Sequence, residues 1–528
     1  MTLRGNRGLT WLLASVAGLA FAGGDAVAQQ FTCPKKGGEF VFGQEAKVNS
    51  LDMHTSSAIS TRNVAMNIFE SLMTRDNNFS PILELAQSVD MSQDGKTYVF
   101  KLRQGVKFHN GKPMTAADVV ASFDRYKPIG IDRGILDIVE GWDAPDASTF
   151  VIHMKAPQPT FLDNLSSFLV PIVIVPAENA KAPVMQLEPV GTGPWQFVEF
   201  VPDSHVKLKR FDAYTPDSRF KDIDGFGGYK LACVDSVSFR IVTEPGARVA
   251  GIETGELQGV EDVPTKSQER LKQNKDVVLK PLYNWWIQIA MANVSAPPTD
   301  NLKFRQAVQA ALDMDEIMEA ASDGAYKLNV GYQYPGQAAY TDAGKETYNQ
   351  KNPAKAKQLL AEAGYKGEEM VLLTNRDYTS MYNAALVMSE QLKAIGVNAK
   401  LLVLDWPATI AMRTTSSTGW NWFFTGLGTD PVLGPVAGIR TFAAPNSVYK
   451  PKSPEEADKP FNAAFGEMVN GATPEIRKAA FATAQKRLLE QVYALPFGSL
   501  TKVQAVRANV QNYRPYRIPR AANVYFSG

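Results

Sequence analysis

Six residues between positions 376 and 430 have the types and spacing to hold a small molecule: Arg376, Tyr378, Trp406, Trp420, Trp422 and Asp430. One guanidinium, one carboxylate and several aromatic rings suit noncovalent capture of a charged, partly apolar ligand. The guanidinium can grip a carboxylate with two parallel hydrogen bonds, and the rings can stack on planar or cationic groups.

The surrounding sequence supplies elements that bring these residues together. The apolar run Met370 to Asn375 reads as a buried strand, followed by the polar turn Asn375-Arg376-Asp377-Tyr378. Met381, Ala385, Met388, Leu392 and Ile395 recur at three- and four-residue steps, so Ser380 to Ile395 reads as an amphipathic helix. Gly396 sits where a helix end favours a left-handed residue. Val397 to Asp405 reads as the next strand, and such a strand–helix–strand crossover is parallel and right-handed. A third apolar run, Trp420 to Leu427, ends in Gly428-Thr429-Asp430-Pro431. In open parallel sheets ligands collect beyond the carboxyl ends of the strands. Three strand ends would therefore bring Arg376 with Tyr378, Trp406, and Asp430 to one cleft. Trp420 and Trp422 share one face of an alternating strand, which would serve equally as cleft wall or as core.

No constellation for covalent chemistry stands beside these residues. The sequence has no nucleophile elbow, HExxH, CxxC or phosphate-cradling glycine loop. The four histidines, His54, His109, His153 and His205, lack metal-ligand spacing to one another. The glycine-rich stretch Gly225 to Gly228 lacks the strand and helix flanks of a dinucleotide site. A binder is expected, with no cofactor and no metal. An exported hydrolase using Asp377 and Asp430 is the competing reading.

Arg4 and Arg7 followed by the apolar stretch Leu9 to Ala22 and by Ala26-Val27-Ala28 read as a secretory signal cleaved near Ala28. The apolar stretch is too short to span a bilayer comfortably. The remaining chain, at about 150 residues per domain, suggests about three domains. A net charge of +1 with scattered lysines and arginines argues against a nucleic-acid partner, which needs a basic face. The two cysteines, Cys33 and Cys233, would pair in an oxidising compartment, or remain as two buried thiols.

A longer pattern lies upstream. Leu85-Ala86 to Asp94-Gly95 leads into Tyr98-x-Phe100-x-Leu102-Arg103-x-Gly105-Val106-Lys107-Phe108-His109-x-Gly111, then into Thr115-Ala116-x-Asp118-Val119. This resembles the signature of family 5 solute-binding proteins, the extracytoplasmic dipeptide, oligopeptide and nickel-chelate receptors of ABC importers. The resemblance continues through Val190-Gly191-Thr192-Gly193-Pro194-Trp195, Phe211-Asp212-Ala213-Tyr214, Ala250-Gly251 to Leu257, and the helix Asn301 to Leu312. It implies an α/β two-lobed periplasmic-binding-protein fold, type II and cluster C-like, with an extra domain in the N-terminal lobe. On that pattern, residues 29–48, 190–280 and 496–528 form lobe 1, residues 49–189 its extra domain, and residues 281–495 lobe 2. Hinges are expected near Lys280 to Trp285 and Ala494 to Ser499, with Trp285 and Trp286 beside them. The resemblance also implies that Asp430 pairs with a ligand amino group, that Arg376 holds a carboxylate, and that His109 is structural. It further implies a periplasmic monomer that captures a small solute, a short peptide or amino-acid-derived compound, and delivers it to an inner-membrane permease. An anionic metal chelate or an aromatic solute is the alternative ligand.

Overall fold

Two long paired strands carry the molecule. The structure is a computed structural model that describes residues 29–429, 434–443 and 458–528. Residues 1–28, the stretch expected to be a secretory signal, and Asp430 lie outside the described residues.

In chain order, β1 is Glu39–Gln44 and α1 is Ile59–Ala65. A four-stranded antiparallel sheet follows, made of β2 (Ala86–Met91), β3 (Thr97–Leu102), β4 (Val139–Asp146) and β5 (Thr149–Met154) in the order β2-β3-β5-β4. The helix α2 (Ala116–Ile129) packs on it, opened by a capping box in which Thr115 and Asp118 exchange hydrogen bonds. Phe100, Phe123, Phe150 and Ile152 close a separate core there, each fully buried.

The chain then returns through β6 (Trp195–Val201), β7 (His205–Arg210), β8 (Ser236–Ile241), α3 (Pro245–Thr254) and β9 (Gly259–Val260). The strand β10 (Val277–Ala292) crosses to a second body. That body holds β11 (Met370–Asn375), α4 (Thr379–Lys393), β12 (Ala399–Leu404), α5 (Trp406–Thr415) and β13 (Trp422–Leu427), and β14 (Ala494–Arg507) crosses back. One sheet runs through both bodies in the order β12-β11-β13-β10-β14-β9-β1-β8-β7-β6.

The burial of β10 shows where its surroundings change. Residues before Trp285 alternate between sheltered and exposed, whereas Trp285 through Ala292 are all buried. The second half is covered on both faces, which its near-continuous apolar sequence requires. The β10–β14 ladder breaks between Leu282 and Trp286, where Asn284 takes a left-handed backbone with φ of 53°. This bulge lies opposite Leu500 and Lys502, at the crossing between the bodies.

The expected crossover is present: β11 and β12 are parallel and joined by α4. The helix starts at Thr379, with Met381, Ala385, Met388 and Leu392 buried on one face. The third strand also pairs parallel with β11 and antiparallel with β10. Cys33 and Cys233 form a disulfide with Cα atoms 5.5 Å apart, joining the start of the described chain to the turn before β8. His109 is held by backbone: its Nε2 lies 2.9 Å from Gly193 O, and its Nδ1 accepts from Gly191 N.

Candidate ligand-binding site

A cavity of about 1220 Å³ lies between the two bodies. One wall comes from Asn49 to Arg62, Ile129 to Arg133 and Phe168 to Val170. The other comes from Trp285, Trp286, Tyr378, the α5 residues Trp406 to Thr415, and Phe423 to Thr429. Its size exceeds the usual range for drug-sized ligands, roughly 300–1,000 Å³, and suits a peptide-sized one.

The floor is a row of aromatic rings. Centroids lie 6.0 Å apart from Trp285 to Trp286, 5.4 Å from Trp286 to Tyr378, 5.1 Å from Tyr378 to Trp406 and 6.2 Å from Trp406 to Phe423. Local sequence explains the seating of two members. A Cβ at Gly426 would come 2.5 Å from the Trp286 ring, so only glycine lets the indole lie on that strand. Trp406 opens α5, whose cap is Asp405 accepting from Ala408 N at 2.8 Å.

Charge on the walls is uneven. The described lining residues include five arginines, Arg62, Arg133, Arg413, Arg440 and Arg517, against two carboxylates, Asp132 and Asp405. Both carboxylates are engaged. Asp132 pairs with Arg440 across the cleft, and Asp405 lies 3.6 Å from Lys47 Nζ. Burial pushes Asp132 up to about 6, against the pull of Arg440. Arg517 donates to the carbonyls of Asn284 and Trp285. The guanidinium groups of Arg62, Arg133 and Arg413 have no hydrogen bond or ion pair among the described residues. Burial pushes those of Arg62 and Arg413 down to about 10, with Arg517 adding repulsion at Arg62. Arg413 rests 5.1 Å over the Phe423 ring at the end of the aromatic row.

Unpartnered buried polar atoms on the lining residues are mostly donors. They include Nε of Arg62 and Arg413, the indole N–H groups of Trp285, Trp286 and Trp406, and the hydroxyl of Tyr378. Buried donors without acceptors are costly, so this arrangement suits an acceptor-rich occupant.

The walls also touch outside the cavity. Lys47 N donates to Asp377 Oδ2 at 3.1 Å, and Thr160 Oγ1 donates to Val469 O at 2.8 Å. Gln158 Nε2 donates to Asn470 Oδ1 at 2.9 Å. The cleft is thus held shut at several points of its rim.

Of the residues singled out from sequence, Tyr378 and Trp406 line the cavity. Trp420 and Trp422 do not; they are 1% and 0% exposed in the core of the second body. The reason is the two-sided cover of β13, which buries both faces of the strand at its start. Arg376 is exposed and off the cavity wall, with its guanidinium 5.0 Å over the Tyr382 ring one turn into α4. The turn after β11 directs Tyr378 inward and Arg376 outward. Sequence reasoning missed Arg62, Asp132, Arg413, Arg440 and Arg517. Arg413 carried a signal: it stands seven residues after Trp406, two turns along the same helix face. The others reach the cleft only through tertiary folding.

A sheet shared by two bodies, with a closed, donor-lined cavity between them, defines a two-lobed ligand-capture protein. Residues 80–450 match the family described as bacterial extracellular solute-binding proteins, family 5 Middle. The chain belongs to this family of bacterial extracellular solute-binding proteins. It is 30% identical over 375 residues to a probable peptide ABC transporter periplasmic-binding protein of Sinorhizobium fredii, covering 68% of this chain and 70% of that one. It is 28% identical to a glutathione-binding protein of Pectobacterium atrosepticum, covering 71% and 72% respectively. Among solved structures, a dipeptide-binding protein from Pseudoalteromonas in complex with Met-Leu superposes with a TM-score of 0.81 at 23% identity, covering 93% of this chain and all (100%) of that one. A periplasmic binding protein from A. tumefaciens in complex with agropinic acid gives 0.80 at 24% identity, covering 93% and 99%. These likenesses establish the two-lobed fold.

Proposed function

We propose that this chain is the periplasmic substrate-binding component of an ABC importer. It captures a short peptide or amino-acid-derived solute by lobe closure and hands it unchanged to an inner-membrane permease. The observation that carries this reading is the set of unpartnered donors on both walls of the closed cavity. A ligand that satisfies donors from both lobes at once stabilises the closed arrangement over the open one. The relatives' names point the same way, to peptides and to glutathione, itself a short peptide. Export fits the N-terminal sequence pattern, and no helix among the described residues is long and apolar enough to cross a membrane. The chain is expected to act as a monomer without nucleic acid.

Thermal-shift and tryptophan-fluorescence titrations with dipeptides, glutathione and opine-type compounds test the reading. Trp285, Trp286 and Trp406 line the cavity, so occupancy changes their emission. A ligand at about 100 times its Kd should add about 2.7 kcal/mol to stability. Recovery of the ligand unaltered after prolonged incubation is expected. Turnover would instead establish an enzyme.

A further inference from the structure

We propose that Arg517 is the pin of the hinge: it holds the bulge of β10 against both lobes, and so sets how readily they close and where the aromatic floor lies. This rests on the receptor reading above and names a positioning residue for its closure.

The bulge leaves backbone groups to be satisfied. Leu282 pairs with Lys502 and Trp286 with Leu500, so Tyr283, Asn284 and Trp285 stand against Thr501 alone. Thr501 turns its N–H away, to the carbonyl of Ala325. Sheltered backbone carbonyls that lose their ladder partners need other donors. Arg517 supplies one: its Nη1 donates to the carbonyls of both Asn284 and Trp285. The two successive carbonyls converge on that nitrogen where Asn284 takes its left-handed φ of 53°.

The same guanidinium joins the lobes. Arg517 belongs to the C-terminal segment of lobe 1, beyond β14. Its guanidinium carbon lies 5.6 Å from the centre of the Phe79 ring and 5.8 Å from that of Tyr334. Phe79 is fixed in lobe 1, where its ring stacks on Tyr516 at 5.0 Å and lies 5.6 Å from Phe168 on the cavity wall. Tyr334 is fully buried in the core of lobe 2. One cation thus meets a ring of each lobe and the strand that connects them.

Lobe rotation is absorbed at a few backbone positions, and a break in the ladder between the crossing strands is where it meets least resistance. Rotation there carries the two carbonyls or Tyr334 away from Arg517, so the closed arrangement keeps contacts that the open one loses. The pin also seats the floor, because Trp285, whose carbonyl it holds, is the first ring of the aromatic row. Arg517 lines the cavity, yet its Nη1 is already committed to protein carbonyls, unlike the guanidinium groups of Arg62, Arg133 and Arg413. Its contribution is therefore positional and independent of the charge of the ligand.

Small-angle scattering of the ligand-free protein and calorimetric titration with glutathione, Ala-Glu and Ala-Gln test this. R517Q is expected to have a larger ligand-free radius of gyration. It should bind Ala-Glu and Ala-Gln more weakly by the same factor, about tenfold for a lost hydrogen bond from a charged donor. N284V puts a β-branched residue at the left-handed position, disturbs the bulge without touching Arg517, and should copy both effects. An equal loss for the two dipeptides supports the pin whether or not the free protein opens further. A loss confined to Ala-Glu would make Arg517 a ligand contact and overturn the proposal. A lowered melting temperature with scattering and affinities unchanged would leave it a merely structural residue and overturn the proposal as well. If glutathione and both dipeptides fail to bind the wild type, the peptide-receptor reading falls and scattering alone decides: a larger radius in R517Q supports the pin, and superimposable curves overturn it.

Discussion

Glu45 is the residue whose substitution gives the sharpest test of the physical reasoning. It follows β1, beside Glu261 and Asp262 after β9, Arg248 on α3 and Lys502 on β14. Lys502 contacts Glu45 directly and lies 3.4 Å from Glu261 Oε1; Arg248 lies 3.6 Å from Glu45 Oε2. Asn63 on α1 adds a neutral hydrogen bond to Glu261 at 3.1 Å. Three carboxylates thus share two cations in a buried site. Burial pushes Glu45 up from its ordinary 4.5 to about 7, against Lys502, with Glu261 and Asp262 adding repulsion. The folded state therefore holds a proton that the unfolded chain releases between these values. Stability from this group is full below 4.5 and is lost as pH rises through 7. At about 1.36 kcal/mol per pH unit, the loss is about 3 kcal/mol. E45Q mimics the protonated form. Urea unfolding followed by tryptophan fluorescence at pH 5, 6, 7 and 8 should show the variant close to wild type at pH 5 and equal or more stable at pH 8. Asp132, also pushed up to about 6, titrates in the same window, so the difference between the two proteins is the quantity read. K502M is the opposing control and should cost about 3–5 kcal/mol at pH 8, because it strands carboxylates beside Arg248 alone. If E45Q instead loses about 3–5 kcal/mol at pH 8, the pair is an ordinary stabilising ion pair and the reasoning is refuted.

Three further outcomes are expected. D132N removes the partner of Arg440 across the cleft and should weaken ligand binding severalfold while enlarging the ligand-free radius of gyration in small-angle scattering; unchanged values of both would show that this contact does not hold the lobes together. The paired variant C33S/C233S opens a 200-residue closed loop, and chain entropy alone puts the loss on the order of 5 kcal/mol, read by urea midpoint in oxidising buffer. R376A should leave the affinity of every bound ligand within about twofold, since its guanidinium rests on Tyr382 in solvent; a loss beyond tenfold would return it to the site.

The order of elements was legible in the sequence because local patterns fix it. The apolar positions Met381, Ala385, Met388 and Leu392 of α4 and the Thr115–Asp118 cap each record a backbone choice made within a few residues. Tyr378 and Trp406 were legible because strand ends in a parallel sheet converge whatever surrounds them. Trp420 and Trp422 looked equally suited to cleft and core, and alternation could not separate the two. The cover laid over both faces of β13 by distant elements decided it. Arg376 and Arg413 are both arginines shortly after strands. Only the turn geometry and the two-turn reach of α5 set one against Tyr382 in solvent and the other against Phe423 in the cleft. Sequence alone thus determined which segments become strands and helices and what class of molecule they build, because those depend on near neighbours. Which charges go unanswered in the cavity was decided by the tertiary structure, because a guanidinium's partner is set by what folds against it from hundreds of residues away.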